Sequence, residues 1–394
     1  MKSKLQSFFD LFSPPQKIPP GIYSYQSPPD TPNPQKIHLR VESNASSIMM
    51  INASLVLHLN PIATEFAYAY LHQLDEAQII QTITSKYRVD KETVRKDYRS
   101  FLEKINAVTT VQDLDPIEFF GLDRTVQKDW TNLSAPFRLD CALTYRLPHD
   151  EATVYAPTER VKEELSTQDW KKIIDKAWQA GVPHIIFTGG EPTLRTDLLE
   201  LILHTENNGQ VCGLITDGQV FHNDETLNDF LNAGLDHLML LLDSRNQQSW
   251  KVIEKITPLD LFTAVHITIN DENYHHLQEI LSRLTDIGIN ALSLSAISEK
   301  HLEFLSEASE FATYLGLKLV WDLPVPYSKF NPVSIELVSE EQAESAGKAW
   351  LYIEPDGDVL LGQGLPTVMG NLLSQEWSEI WQLCRQHVKQ QLPL

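Results

Sequence analysis

Cysteine is scarce in this chain: Cys141, Cys212 and Cys384 are the only three in 394 residues. They are far apart, show no metal-ligand spacing and cannot build a disulfide framework, a pattern that fits a reducing compartment. Long apolar runs are missing too. None reaches a membrane span, and the opening stretch, Met1 to Phe9, lacks a signal-peptide core and cleavage site. The expectation is a cytoplasmic protein with no membrane partner. Positive charge is in deficit, with 32 Lys and Arg against 53 Asp and Glu and a net charge of −21. Phosphate would be repelled at long range, which excludes a general nucleic-acid or anionic-membrane partner, whereas a basic peptide would be steered in.

What is present is enough apolar material, 42% of residues, for a large core and two or three domains. Residues 1–35 hold many of the 22 prolines (Pro14–Pro15, Pro19–Pro20, Pro28–Pro29, Pro32, Pro34) and read as an extended, flexible leader. Residues 36–108 read as a small module. Ile48–Ile51 and Leu55–Leu59 are β-type runs around Asn52–Ala–Ser, a hairpin pattern. Asn60–Pro61, Asp75 and Asp90 then open three helices with apolar faces at helical spacing. Residues 109–136 read as a linker.

From Phe137 onward strand and helix alternate. The strand-like runs are Phe137–Thr144, His184–Phe187, Val211–Thr216, His237–Leu242, Thr263–Thr268, Ala291–Ser295 and Lys318–Trp321. Helical patterns fall between them, often closed by a glycine. Repeated βα units imply a parallel sheet covered by helices. Near the end, Trp350–Leu360 is a hairpin pattern around Pro355–Asp356–Gly357.

The most informative stretch is His184–Ile–Ile–Phe–Thr–Gly–Gly–Glu–Pro–Thr–Leu–Arg195. An apolar strand ends in two glycines, an acid and a proline, and a helix follows. Paired glycines allow close backbone approach, and Glu191 is the one strong acceptor at the tip. This run resembles the Gly-Gly-Glu-Pro motif of radical S-adenosylmethionine (SAM) enzymes. The resemblance implies an α/β fold, a partial (β/α)6 TIM-like barrel over residues 137–325. It also implies a SAM site near Gly189, Gly190, Glu191, Pro192, Thr216, Asp217 and Gly218, at the carboxyl ends of two strands. A tight strand–helix turn without a ligand is the alternative. Residues 326–394 resemble the SPASM extension, which carries auxiliary iron–sulfur clusters in peptide-modifying members.

The N-terminal module, a small winged-helix-like unit, resembles the peptide-binding chaperone of pyrroloquinoline-quinone biosynthesis, the type of the precursor-peptide recognition elements. The matching words are Leu59–Asn–Pro–Ile–Ala–Thr–Glu–Phe66 and the run from Tyr87 to Leu102. The resemblance implies a peptide laid along a free strand edge, Ile48–Met49–Met50–Ile51 or 37–41, beside a basic helix face with Arg95, Lys96 and Arg99. A packing domain without a peptide ligand is the alternative.

The family resemblance also makes a demand that the sequence does not meet. Radical SAM enzymes carry a Cys-x3-Cys-x2-Cys run after the first strand. Laid on this chain, those positions hold Leu147, Glu151 and Val154, and the usual SPASM cysteine position holds Gly362. Thiolates hold iron–sulfur clusters, and Leu and Val have no donor atom. The expectation is no iron–sulfur cluster and no metal, with SAM binding open. The chain then reads as a peptide-binding pseudoenzyme or scaffold in ribosomal-peptide modification, with a precursor peptide and a catalytic radical SAM homologue as partners. The alternative is an enzyme that retains SAM for non-radical chemistry, or holds another metal in the barrel.

Overall fold

The computed structural model describes residues 18–28, 31, 34–44, 46–52, 55–110, 133–148, 152–320, 323–331 and 346–391. The chain divides into two compact units, Met1–Ser134 and Ala135–Leu394.

In the first unit, strands β1 (Gly21–Gln26), β2 (Lys36–Val41), β3 (Ser47–Ile51) and β4 (Leu55–Leu59) form an antiparallel sheet in that order. Helices α1 (Pro61–Leu71), α2 (Glu76–Lys86) and α3 (Lys91–Thr110) follow. Their starts have the expected chemistry. Asn60 accepts from the Ala63 amide, Asp75 and Gln78 form a reciprocal capping box, and Asp90 accepts from the Glu92 and Thr93 amides. Sheet residues Ile37, Leu39, Met49 and Leu57 meet Ala67, Leu71 and Ile105 in one core. Phe66, Ile79, Ile80, Ile83, Val94 and Tyr98 form a second core among the helices. Each such side chain contributes roughly 1.5–3 kcal/mol when fully buried.

Two expectations fail here. The extended leader does not run to residue 35, because Gly21–Gln26 is a strand paired with β2 over six residues. Proline content hid it, for the prolines flank this strand and leave its interior free to pair. The hairpin of β3 and β4 forms as expected, but β3 is no edge. It is paired on both sides, as is β2, so neither Ile48–Ile51 nor 37–41 offers unpaired backbone among the described strands.

In the second unit, six parallel strands run in sequential order: β5 (Arg138–Thr144), β6 (His184–Gly189), β7 (Val211–Thr216), β8 (His237–Leu241), β9 (Phe262–Ile269) and β10 (Ala291–Ala296). A single helical turn α4 (Ala152–Tyr155) and helix α5 (Thr167–Ala180) lie between the first two strands. Helices α6 (Leu198–Asn207), α7 (Asp224–Asn232), α8 (Gln247–Ile256), α9 (Leu277–Ile287) and α10 (Leu302–Tyr314) complete the βα series. The arrangement is the expected α/β partial barrel, with α8 as an added helix capped by Asn246. Of the expected run Lys318–Trp321, Leu319 makes one parallel bridge to Leu292, and Trp321 lies outside the described residues. Inside, Ile186, Ile215, Met239, Ala264 and Ala291 come from five successive strands and pack as one cluster.

The C-terminal hairpin of β11 (Trp350–Ile353) and β12 (Asp358–Leu360) turns at Gly357, whose φ of 88° suits glycine. β11 pairs parallel to β5, and β13 (Val368–Asn371) extends the sheet to nine strands before helix α11 (Trp377–Gln391). Among the described residues no helix is long and apolar enough to cross a membrane.

Candidate functional site

The glycine pair ends β6 where the expected site lies. Gly189 has φ of 130°, and a Cβ there would sit 2.2 Å from the Thr144 carbonyl oxygen. A Cβ on Gly190 would sit 2.3 Å from the Arg146 carbonyl oxygen and 3.1 Å from Leu147 Cδ2. Both glycines are therefore required by the backbone leaving β5. The Gly190 amide donates to Thr144 O (2.8 Å), the Glu191 amide to Arg146 O (2.9 Å), and Gly189 O accepts from the Tyr327 amide (2.9 Å).

Glu191 is buried and joins the ends of two strands. Its Oε1 accepts from the Thr193 amide (3.0 Å), Thr193 Oγ1 (2.6 Å) and Thr216 Oγ1 (2.8 Å), while Oε2 accepts from the Asp217 amide (3.0 Å). Burial, then the neighbouring Asp217 charge, pushes its pKa up to about 7. Pro192 opens a 3-10 turn through Leu194, and Gly218 takes φ of 72°. The structure thus brings Gly189–Pro192 and Thr216–Gly218 together, as expected from their placement at adjacent strand ends. It uses the glutamate as an internal tie.

Arg195, which the sequence reading passed over, fastens this turn to both ends of the segment between β5 and α5. Its guanidinium donates to Leu143 O (3.2 Å), Leu165 O (3.1 Å) and Asp197 (2.7 Å). Burial raises the Asp197 pKa, but the hydrogen bonds from Arg195 and Thr167 outweigh it and hold the carboxyl below its usual range. The Arg-x-Asp spacing after the proline was the available signal.

Two of the three cluster positions are among the described residues. Leu147 packs over Gly190, Val154 is 70% exposed on the single turn of α4, and Glu151, with His149 and Asp150, lies outside the described residues. Cys141 is buried within β5, Cys212 within β7 and Cys384 within α11. Burial raises the Cys141 thiol well above its normal pKa and that of Cys384 to about 12. Gly362 is buried and faces Ala346 and Leu365. Among the described residues no group of three or more His, Cys, Asp or Glu is placed to hold a metal ion. His275 and His276 lie exposed on one 3-10 turn, and Asp322 lies outside the described residues.

Next to β5, Tyr145, Tyr327, Tyr352, Ala142, Ala156 and Leu360 form an apolar cluster. Tyr145 and Tyr327 meet edge to face at 5.3 Å, and Tyr145 donates to Glu354 Oε1 (2.9 Å), whose other oxygen takes Arg160 (2.9 Å). On the opposite half of the barrel, His266 is buried, with Nδ1 2.9 Å from Ser293 Oγ and Nε2 3.1 Å from both Thr268 and Ser295 hydroxyls. Burial lowers its pKa to about 3, so this imidazole is neutral. The alternating His266/Thr268 and Ser293/Ser295 pairs were readable as one face of two strands.

In the N-terminal unit the expected peptide contacts are redistributed. Ile48, Met49, Met50 and Ile51 are all buried. Arg95 and Arg99 both pair with Glu76 of α2 (3.0 and 2.9 Å), so the basic face is half neutralised, and Lys96 is exposed.

Residues 141–291 match the model of the Radical SAM superfamily. The chain is 29% identical over 178 residues to the PqqA peptide cyclase of Bradyrhizobium diazoefficiens, across 41% of this chain and 47% of that protein. It thus spans about half the length of that curated relative. In fold it resembles SuiB of Streptococcus suis. The SuiB structure bound to S-adenosylmethionine gives a TM-score of 0.54 at 14% identity, covering 88% of this chain and 86% of that one. The SuiB structure bound to the precursor peptide SuiA gives 0.54 at 14%, covering 93% and 88%.

Proposed function

We propose that this chain is a radical-SAM-fold protein without cluster chemistry, which binds a precursor-type peptide and acts as a scaffold for a catalytic homologue in ribosomal-peptide modification. The observation that carries this reading is the donor set after β5. Leu147 covers Gly190, Val154 points to solvent, and neither has a ligand atom. A [4Fe–4S] cluster needs thiolates, so these residues do not fit it, and Gly362 leaves the C-terminal position equally without a donor.

The Gly189–Glu191 turn supports the same reading. Two of its amides, the Gly189 carbonyl and the Glu191 carboxylate are already engaged by Thr144, Arg146, Tyr327, Thr193, Thr216 and Asp217. An ammonium group arriving there meets acceptors already shared with protein donors, so each contact adds less than it would at an unengaged oxygen. The motif persists on this reading because the close approach of the β5 exit demands it. For the peptide, support comes from relatives named for peptide work, a PqqA peptide cyclase and a SuiB structure holding its precursor peptide. The small sheet-and-helix unit ahead of the barrel is the proposed peptide-recognition element.

Anaerobic iron–sulfur reconstitution of the full chain tests the cluster claim. The expected result is background iron and sulfide and no broad visible absorption; near-stoichiometric cluster iron would overturn it. Titration calorimetry with SAM is expected to show no saturable binding. Low-micromolar binding that vanishes on changing Gly190 or Glu191 would instead favour an enzyme using SAM without a radical.

A further inference from the structure

We infer that β1 is a removable strand of the chain itself, seated where an incoming peptide pairs with β2, and that its own residues describe that peptide. The inference rests on the peptide-binding reading and adds which edge is used and what fits it. Every residue of β2 and of β3 is buried, whereas β1 has none in that class: four are half-buried and two exposed. It is therefore the most solvent-exposed strand of this sheet. It is tied to β2 by a loop closed between Ser27 and Gln35, so a departing strand stays tethered beside its seat.

What holds β1 is also specific. Along one face, Tyr23 meets Tyr68 of α1 edge to face at 4.9 Å, and Tyr25 approaches Tyr70 at 6.2 Å. Just ahead of the strand, Ile18 is buried in the sheet–helix core. Main-chain hydrogen bonds to β2 are indifferent to sequence, so selectivity lies in these side-chain seats. A peptide that replaces β1 must run antiparallel to β2, carry aromatic side chains two residues apart, and place an aliphatic one five residues before the first aromatic. The tethered strand is present at high effective concentration, which lowers the apparent affinity of any competitor by the fraction of time the seat is open. The N-terminal strand thereby sets a threshold that only a well-matched peptide passes.

The test uses the full-length chain and a fluorescein-labelled synthetic peptide of residues 18–28 (IPPGIYSYQSP), read by fluorescence anisotropy. Weakening the resident strand with Tyr23→Ala plus Tyr25→Ala leaves β2 and α1 unchanged. The double variant is expected to bind this probe at least tenfold more tightly than the wild type, and not to bind a probe with both tyrosines replaced by alanine. Equal binding by variant and wild type, or equal binding of the two probes, overturns the proposal. Hydrogen exchange on the unmodified protein gives a second reading should the variant misfold. The β1 amides that bond to β2 are expected to exchange at least tenfold faster than those of β3, and exchange of both at one common rate overturns it. Iron uptake plays no part in either measurement, so this inference and the cluster claim fail separately.

Discussion

Glu191 shows how much a motif's meaning depends on what its residues touch. The carboxyl is buried beside Asp217, and its pKa rises from the ordinary 4.5 to about 7. Below about 4.5 it is protonated in both folded and unfolded chains. Between the two values the folded chain keeps a proton that the unfolded chain has released. This group's contribution to stability is therefore fully present in acid and is lost as pH rises through the folded value. Urea unfolding from pH 4.5 to 8 should show the wild type losing stability relative to Glu191→Gln across that window. A constant difference between the two proteins would refute the assignment. The glycines make a second residue-scale prediction. Gly189→Ala and Gly190→Ala force a Cβ into carbonyl oxygens at 2.2 and 2.3 Å, and each should cost about 3 kcal/mol by chemical denaturation. Gly288→Ala has open space around its Cβ and should cost only about 1 kcal/mol, the strain of its positive φ. Equal costs at all three sites would mean that close approach is not what those glycines serve.

At the scale of elements, the C-terminal hairpin is held to the barrel by pairing between β11 and β5 and by the Arg160–Glu354–Tyr145 chain of hydrogen bonds. Glu354 is buried, and burial raises its pKa even with Arg160 opposing. Removing Arg160 leaves that carboxylate with Tyr145 alone, so Arg160→Met should destabilise by about 2–3 kcal/mol at pH 7.5. Adding Glu354→Gln should return at least half of the loss, because the unpaired charge goes with it. A strictly additive double variant would show that the two side chains do not act as a pair. The hairpin itself was legible in Pro355–Asp356–Gly357, since the turn is set by local φ preferences. The edges of the N-terminal sheet were not legible. Whether β3 is central depends on β1 returning to β2 across a proline-rich loop, a pairing that no local pattern encodes.

For the whole molecule, a net charge of −21 means self-repulsion that added salt relieves. Raising sodium chloride from 0.05 to 0.5 M should raise Tm, as followed by circular dichroism; a fall in Tm would mean that ion pairs such as Arg195–Asp197 outweigh the repulsion. What the sequence by itself determined was the α/β alternation, most strand and helix bounds, and the meeting of Gly189–Pro192 with Thr216–Gly218. Period, caps and turns act over a few residues, and the carboxyl ends of adjacent parallel strands must lie together. The absence of cysteine from the expected run was equally plain, because a donor atom is a property of a residue. Only the tertiary structure decided what the retained polar groups do. Hydrogen bonds from Tyr327 to Gly189 and from Tyr145 to Glu354 join residues more than a hundred positions apart. Burial of Glu191 and His266, which sets their protonation, likewise arises from packing between strands distant in the chain.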